Sequence, residues 1–138
     1  MTSPAVHCSP ARLTTGAAVG LHVRETKVYQ KAVDFAERVA TLTGGFPRGY
    51  GFLADQLNGA ALSVATNIAE GNGRFTKADR KHFFTVARAS VQECVPLLEI
   101  GGQRGLVSDE LQTSFRQDLE SMAKMITGLI RGLERRRS

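Results

Sequence analysis

Tryptophan is absent from this chain, and its two cysteines, Cys8 and Cys94, lie far apart. Their spacing offers neither a CxxC pair nor a metal site. Cys94 falls in an apolar helical pattern and reads as a small core residue in a reducing cytoplasm. The histidines are equally sparse. His7, His22 and His82 are scattered, and none has a ligating neighbour at metal spacing, so no metal and no cofactor are expected. No apolar run approaches the roughly 18 residues of a membrane helix. Strand-like alternation and internal repeats are also missing. Residues 1–21 lack a basic start followed by a long apolar core, which argues against a signal peptide. Ser63, Ser90 and Ser108 have no base nearby in sequence. Asp109 and Glu110 are adjacent and point different ways, which suits paired acid–base work poorly. No catalytic residue is therefore assigned, and no enzyme is expected.

What remains is a chain of 138 residues, enough for one domain with a real core, carrying a net charge of +5. That balance favours anionic partners such as nucleic acid or acidic protein faces. Residues 1–21, rich in Pro, Ser, Thr, Ala and Gly, are expected to form a flexible tail ahead of a domain over 22–138.

Apolar residues recur at three and four in four segments, over about 22–43, 49–70, 76–100 and from Ser108 onward. The first carries Val28, Ala32, Phe35, Ala36, Val39 and Leu42 and stops at Gly44-Gly45. The second carries Leu53, Leu57, Ala60, Ala61, Val64 and Ile68 and stops at Gly71 and Gly73. The third starts at the N-cap Thr76, with Phe83, Ala87, Ser90, Val91, Cys94 and Leu98 as its main face. Phe84, Val86, Val95 and Leu97 widen that face to about half the circumference, more than one bundle core needs, which points to a second subunit. Pro96 is expected to kink this helix, and Gly101-Gly102 to close it. The fourth has Ser108 as N-cap and a face of Leu111, Phe115, Met122, Ile126, Leu129 and Leu133, ending in Arg131 and Arg135 to Arg137. Short links favour antiparallel neighbours. The expected fold is all-α, an antiparallel up-down-up-down four-helix bundle.

Two groups of polar residues stand out. Helical spacing puts Gln56, Ser63, Asn67 and Arg74 near one line, with Glu70 beside it. The line reads either as a polar site at the bundle end or as a structural corner. In the structural reading Asn67 and Glu70 bond the amides of the next helix start and Arg74 pairs with Glu70. Gly71 to Arg74 lacks the ending of a nucleotide loop and follows a helix, so it is read as a corner rather than a phosphate cradle. Lys77, Lys81 and Arg88 fall within about 40° of one another on the third helix. With Arg74 and Arg80 they form a candidate surface for a nucleic-acid backbone. No aromatic residue is clearly placed to stack bases.

The residues Val28 to Ala32, Phe46-Pro47, Gln56-Leu57, Ala60 to Val64, Asn67 to Gly71 and Gly73-Arg74 resemble a known pattern. It is that of the four-helix-bundle proteins from intervening sequences inside bacterial large-subunit ribosomal RNA genes. The resemblance covers about residues 27–133. It implies a ring-shaped homopentamer with no established enzymatic activity. A distant relative is the accessory subunit of diversity-generating retroelements, a basic bundle that binds reverse transcriptase and nucleic acid. The partners implied are further copies of the chain, RNA or DNA, and a protein such as a reverse transcriptase, with no membrane. Three positions depart from the pattern: Asn58-Gly59 replaces basic residues, Ala65 replaces a proline, and Pro96 replaces an ordinary helix former. The combined expectation is a cytoplasmic, non-enzymatic accessory or scaffolding protein. The alternative is a module that recruits a partner protein without touching nucleic acid.

Overall fold

The computed structural model describes residues 23–135, with side chains from Lys27 onward. The expectations for the tail, Cys8, His7, His22, Arg136 and Arg137 lie outside the described residues. Four helices follow one another: α1 (Val23–Gly44), α2 (Gly51–Asn72), α3 (Lys77–Gln103) and α4 (Asp109–Arg135). Each packs on the next in sequence and α4 packs on α1, while the diagonal pairs stay apart. Cross-links run in opposite order along neighbouring helices. Ser63 and Gly71 of α2 meet Ser90 and Phe84 of α3. Arg88 and Lys81 of α3 meet Thr127 and Glu134 of α4. Lys31 of α1 reaches Asp118 of α4, and Arg38 reaches Ser114.

The apolar stripes close inward. Val28, Ala32, Phe35 and Val39 of α1 are fully buried, as are Leu57, Ala61, Val64 and Ile68 of α2. Phe35 meets Phe115 edge to face at 5.7 Å between centroids, and the Arg38 guanidinium covers the outer side of Phe115 at 4.4 Å. Each fully buried side chain of this size contributes roughly 1.5–3 kcal/mol. Thr76 and Ser108 cap α3 and α4 as their positions suggested, accepting from the amides of Asp79 and Leu111. Asn58, one of the departures from the family pattern, ties α2 to α1 by donating to the buried Thr43 hydroxyl at 2.9 Å.

Four expectations need correction. On α3 the core position belongs to Phe84, which is fully buried, and Phe83 is only half-buried beside it. On α4 Leu111 is exposed, while Leu119 and Ile130 join the core. The third helix does not close at Gly101-Gly102 but runs through Pro96 to Gln103. Its terminator is Gly105, at φ 77°, with the Leu106 amide bonded to Gly101 O and the Gly105 amide to Gly102 O. Last, most of the apolar surplus on α3 is consumed inside the bundle, since Val95 and Leu97 pack against the core. The large apolar side chains left exposed are Phe52, Leu62, Phe75, Ile100 and Leu111.

Gly71 also has a different role from the stop signal expected of it. It is buried near the end of α2 with an ordinary φ, and a Cβ there would sit 2.6 Å from the Phe84 ring. Glycine is required at this corner for close approach, not for backbone freedom.

Candidate nucleic-acid interface

Lys81 and Arg88 lie two turns apart on the side of α3 that faces α4. Lys81 Nζ is 2.7 Å from a Glu134 carboxylate oxygen, and Arg88 Nη1 donates to Thr127 Oγ1 at 3.4 Å. The Glu134 carboxyl is held below the usual glutamate range. The Lys81 hydrogen bond and charge come first and outweigh the opposing desolvation, and the Arg131 and Arg88 charges add lesser contributions. The Lys81–Glu134 pair thus bridges α3 and α4, and Arg131 and Arg88 add positive charge around it. Along α4, Lys124, Gly128, Arg131 and Arg135 recur at four, three and four, so they form one outward stripe. A shallow hollow of about 380 Å³ is lined by Ala123, Lys124, Thr127, Gly128 and Arg131. A Cβ at Gly128 would meet nothing within 4 Å, so the floor of the hollow is open to approach. Lys77, half-buried in the first turn of α3, continues the row of Lys81 and Arg88 toward the bundle end.

The other two candidate cations go elsewhere. Arg74 sits on the α2 side of α3, paired with Glu70 and with its guanidinium 4.7 Å from the centre of the Phe83 ring. Arg80 turns into the α2–α3 corner, where it donates to the Asn72 carbonyl at 3.3 Å and lies 5.7 Å from the Phe84 ring centre. The five candidate residues thus separate into a row facing α4 and two corner arginines. Lys124 and Arg131 complete the row from the other helix. Their spacing on α4 was visible in the sequence, but Arg131 reads there as an ordinary helix-end cation, and only the α3–α4 packing brings it to Lys81.

The polar line on α2 divides into three. Gln56 is exposed and lines a hollow of about 230 Å³ with Asp55, Gly59, Ala60, Ser63 and Glu93, an acidic setting. Ser63 and the buried Ser90 share a hydrogen bond of 2.7 Å across α2 and α3. Asn67 donates back to the Ser63 hydroxyl at 3.0 Å and to its carbonyl at 2.8 Å. Glu70 and Arg74 form the expected ion pair. Asn67 and Glu70 do not reach the amides of the next helix start; Thr76 takes that place. The Gly73 and Arg74 amides are spent on carbonyls of α2, so this corner presents no phosphate cradle.

Among the described residues, no group of three His, Cys, Asp or Glu is placed to hold a metal. No helix among the described residues is long and apolar enough to cross a membrane. Burial, with the Glu93 charge secondary, pushes the Cys94 thiol up to about 12, which keeps it protonated and a poor nucleophile.

No curated protein matches the chain. The fold is similar to a crystal structure of a protein with unknown function from the S23 ribosomal protein family of Bacteroides thetaiotaomicron. The TM-score is 0.74 at 20% identity, over 79% of this chain and 99% of that one. At that identity the likeness shows the fold alone. The model of the 23S rRNA-intervening sequence proteins matches residues 24–128, and the chain belongs to that family.

Proposed function

We propose that the protein is a non-enzymatic accessory protein whose α3–α4 face binds the phosphate backbone of nucleic acid. The observation that carries this reading is the row of Lys77, Lys81 and Arg88 on the side of α3 that meets α4, beside the exposed Lys124, Arg131 and Arg135 of α4. Glu134 offsets the Lys81 charge, while Arg88 on α3 and the exposed Lys124 and Arg131 on α4 add positive charge beside it. Such a surface attracts phosphates without reading bases. The experiment is fluorescence anisotropy with labelled RNA and DNA at low salt. The wild type binds in the micromolar range or tighter, and Lys81→Glu with Arg88→Glu weakens binding at least tenfold. Absence of binding by the wild type refutes the reading.

A second reading concerns assembly, and the exposed apolar residues favour it. Phe52 is 65% and Ile100 46% exposed, and both line a hollow of about 390 Å³ with Tyr50, Leu53 and Arg104. A surface of this kind suits contact between copies of the chain. The family resemblance adds the expectation of a homopentameric ring. Light scattering that gives a monomer at micromolar concentration refutes it. The protein-recruiting alternative gains if one acidic partner is captured in a nuclease-insensitive way while no nucleic acid binds.

A further inference from the structure

Phe75 is fully exposed, at 100%, on the corner between α2 and α3. The corner is fixed on both sides of it. The Arg74 amide bonds to Gly71 O at 3.2 Å, and the Thr76 hydroxyl caps α3 through the Asp79 amide at 3.1 Å. A large aromatic ring is therefore held out into water by a hydrogen-bonded turn rather than by a loose loop. Burial of such a ring is worth roughly 1.5–3 kcal/mol, and this fold leaves that unclaimed.

The charge around the ring favours one kind of partner. Arg74 precedes it, Lys77 follows two residues on, and Lys81 and Arg88 continue along the same side of α3 as Lys77. At 1.5 Å per residue these steps are about 6 Å from Lys77 to Lys81 and about 10.5 Å from Lys81 to Arg88. That is a cationic row with an aromatic platform at its end. A second copy of the chain would bring its own net charge of +5 toward the same cations. A nucleic acid brings phosphates to the row and an apolar base face to the ring. In a duplex the base faces are already stacked, so only an unpaired base is available.

We propose that Phe75 stacks an unpaired base of a single-stranded nucleic acid whose phosphates follow Lys77, Lys81 and Arg88. This rests on the phosphate-backbone reading above and adds strand selectivity to it. Arg74, paired with Glu70 and lying over Phe83, helps hold the corner that presents the ring.

The test uses a short unstructured RNA carrying 2-aminopurine, and the duplex formed with its complement, each titrated with the full chain. The wild type binds the single strand more tightly than the duplex, and binding quenches the 2-aminopurine. Phe75→Ala weakens single-strand binding about tenfold, leaves duplex binding alone, and abolishes the quench; Phe75→Trp keeps all three properties. Because the ring touches little within its own fold, the thermal midpoint of Phe75→Ala should equal that of the wild type. Equal affinity for both strands, with Phe75→Ala silent, overturns the stacking and leaves the backbone reading standing. No binding of either strand by the wild type at low salt removes both. A change in particle mass on Phe75→Ala, with strand preference intact, assigns the ring to contact between copies and also overturns the proposal.

Discussion

Gly71→Ala and Gly59→Ala are the same substitution in the same helix and should act in opposite directions. At Gly71 the new Cβ would lie 2.6, 2.9 and 3.2 Å from three atoms of the Phe84 ring. Ordinary contact begins near 3.4 Å, so the ring must move. Phe84 is fully buried and has nowhere to swing. Overpacking of this kind costs about 1–3 kcal/mol. The helix-propensity gain of alanine, about 1 kcal/mol in a helix interior, is smaller here because Gly71 is next to the last residue of α2. A net loss of about 1–2 kcal/mol is expected. At Gly59 the Cβ meets nothing within 4 Å and φ is not positive, so alanine should add about 0.5–1 kcal/mol. For a domain of this size each kcal/mol moves the thermal midpoint by roughly 3–5 °C. Melts followed by circular dichroism at one fixed protein concentration should therefore separate the two variants by 5 °C or more, by the same rule. In a Phe84→Leu background the Gly71→Ala penalty should shrink, because the clashing ring edge is gone. A Gly71→Ala variant as stable as the wild type, or a penalty unchanged by Phe84→Leu, would refute this packing.

Four other perturbations have definite outcomes. Ser63→Ala should cost about 1 kcal/mol by leaving the buried Ser90 hydroxyl without its partner, and adding Ser90→Ala should cost less than the sum of the singles in urea denaturation. Cys94, in a Cys8→Ser background, should resist a thiol reagent at pH 8 in the folded protein and react once urea unfolds it, because burial keeps the thiol protonated. By NMR titration Glu134 should ionise below the ordinary glutamate value and return toward it in Lys81→Met. Since its folded value is depressed, its stabilising effect is present above the unfolded-state value and is lost as pH falls through the folded one. Glu134→Gln should raise nucleic-acid affinity, as the carboxylate paired with Lys81 is removed.

The helices and their caps were legible because they are local. Three-and-four spacing marks the buried faces, and Thr76 and Ser108 act on amides three residues away. Decisions between near neighbours were not legible. Phe83 and Phe84 are about 100° apart on α3, and both fit a broad apolar arc. Only the missing side chain at Gly71, across the corner on another helix, selects Phe84 for the core. Gly101, Gly102 and Gly105 look alike in sequence, yet only Gly105 takes a positive φ. The basic surface was half visible for the same reason. Lys77, Lys81 and Arg88 share one helix and can be counted along it. Arg131 joins them through α3–α4 packing, while Arg74 and Arg80 are drawn away by the rings of Phe83 and Phe84. Nothing in the sequence marks Phe75, because its exposure is set by the corner, not by its neighbours in sequence.

The salt dependence of RNA binding is the most direct measure of the phosphate-backbone reading. If Lys77, Lys81, Arg88 and Arg131 each displace a counterion, log K should fall against log salt with a slope of about −2 to −3 for a single strand. Arg131→Gln should reduce that slope by about 0.7. Binding with no salt dependence, or a slope unchanged by substitutions in the row, would contradict the assignment of the α3–α4 face.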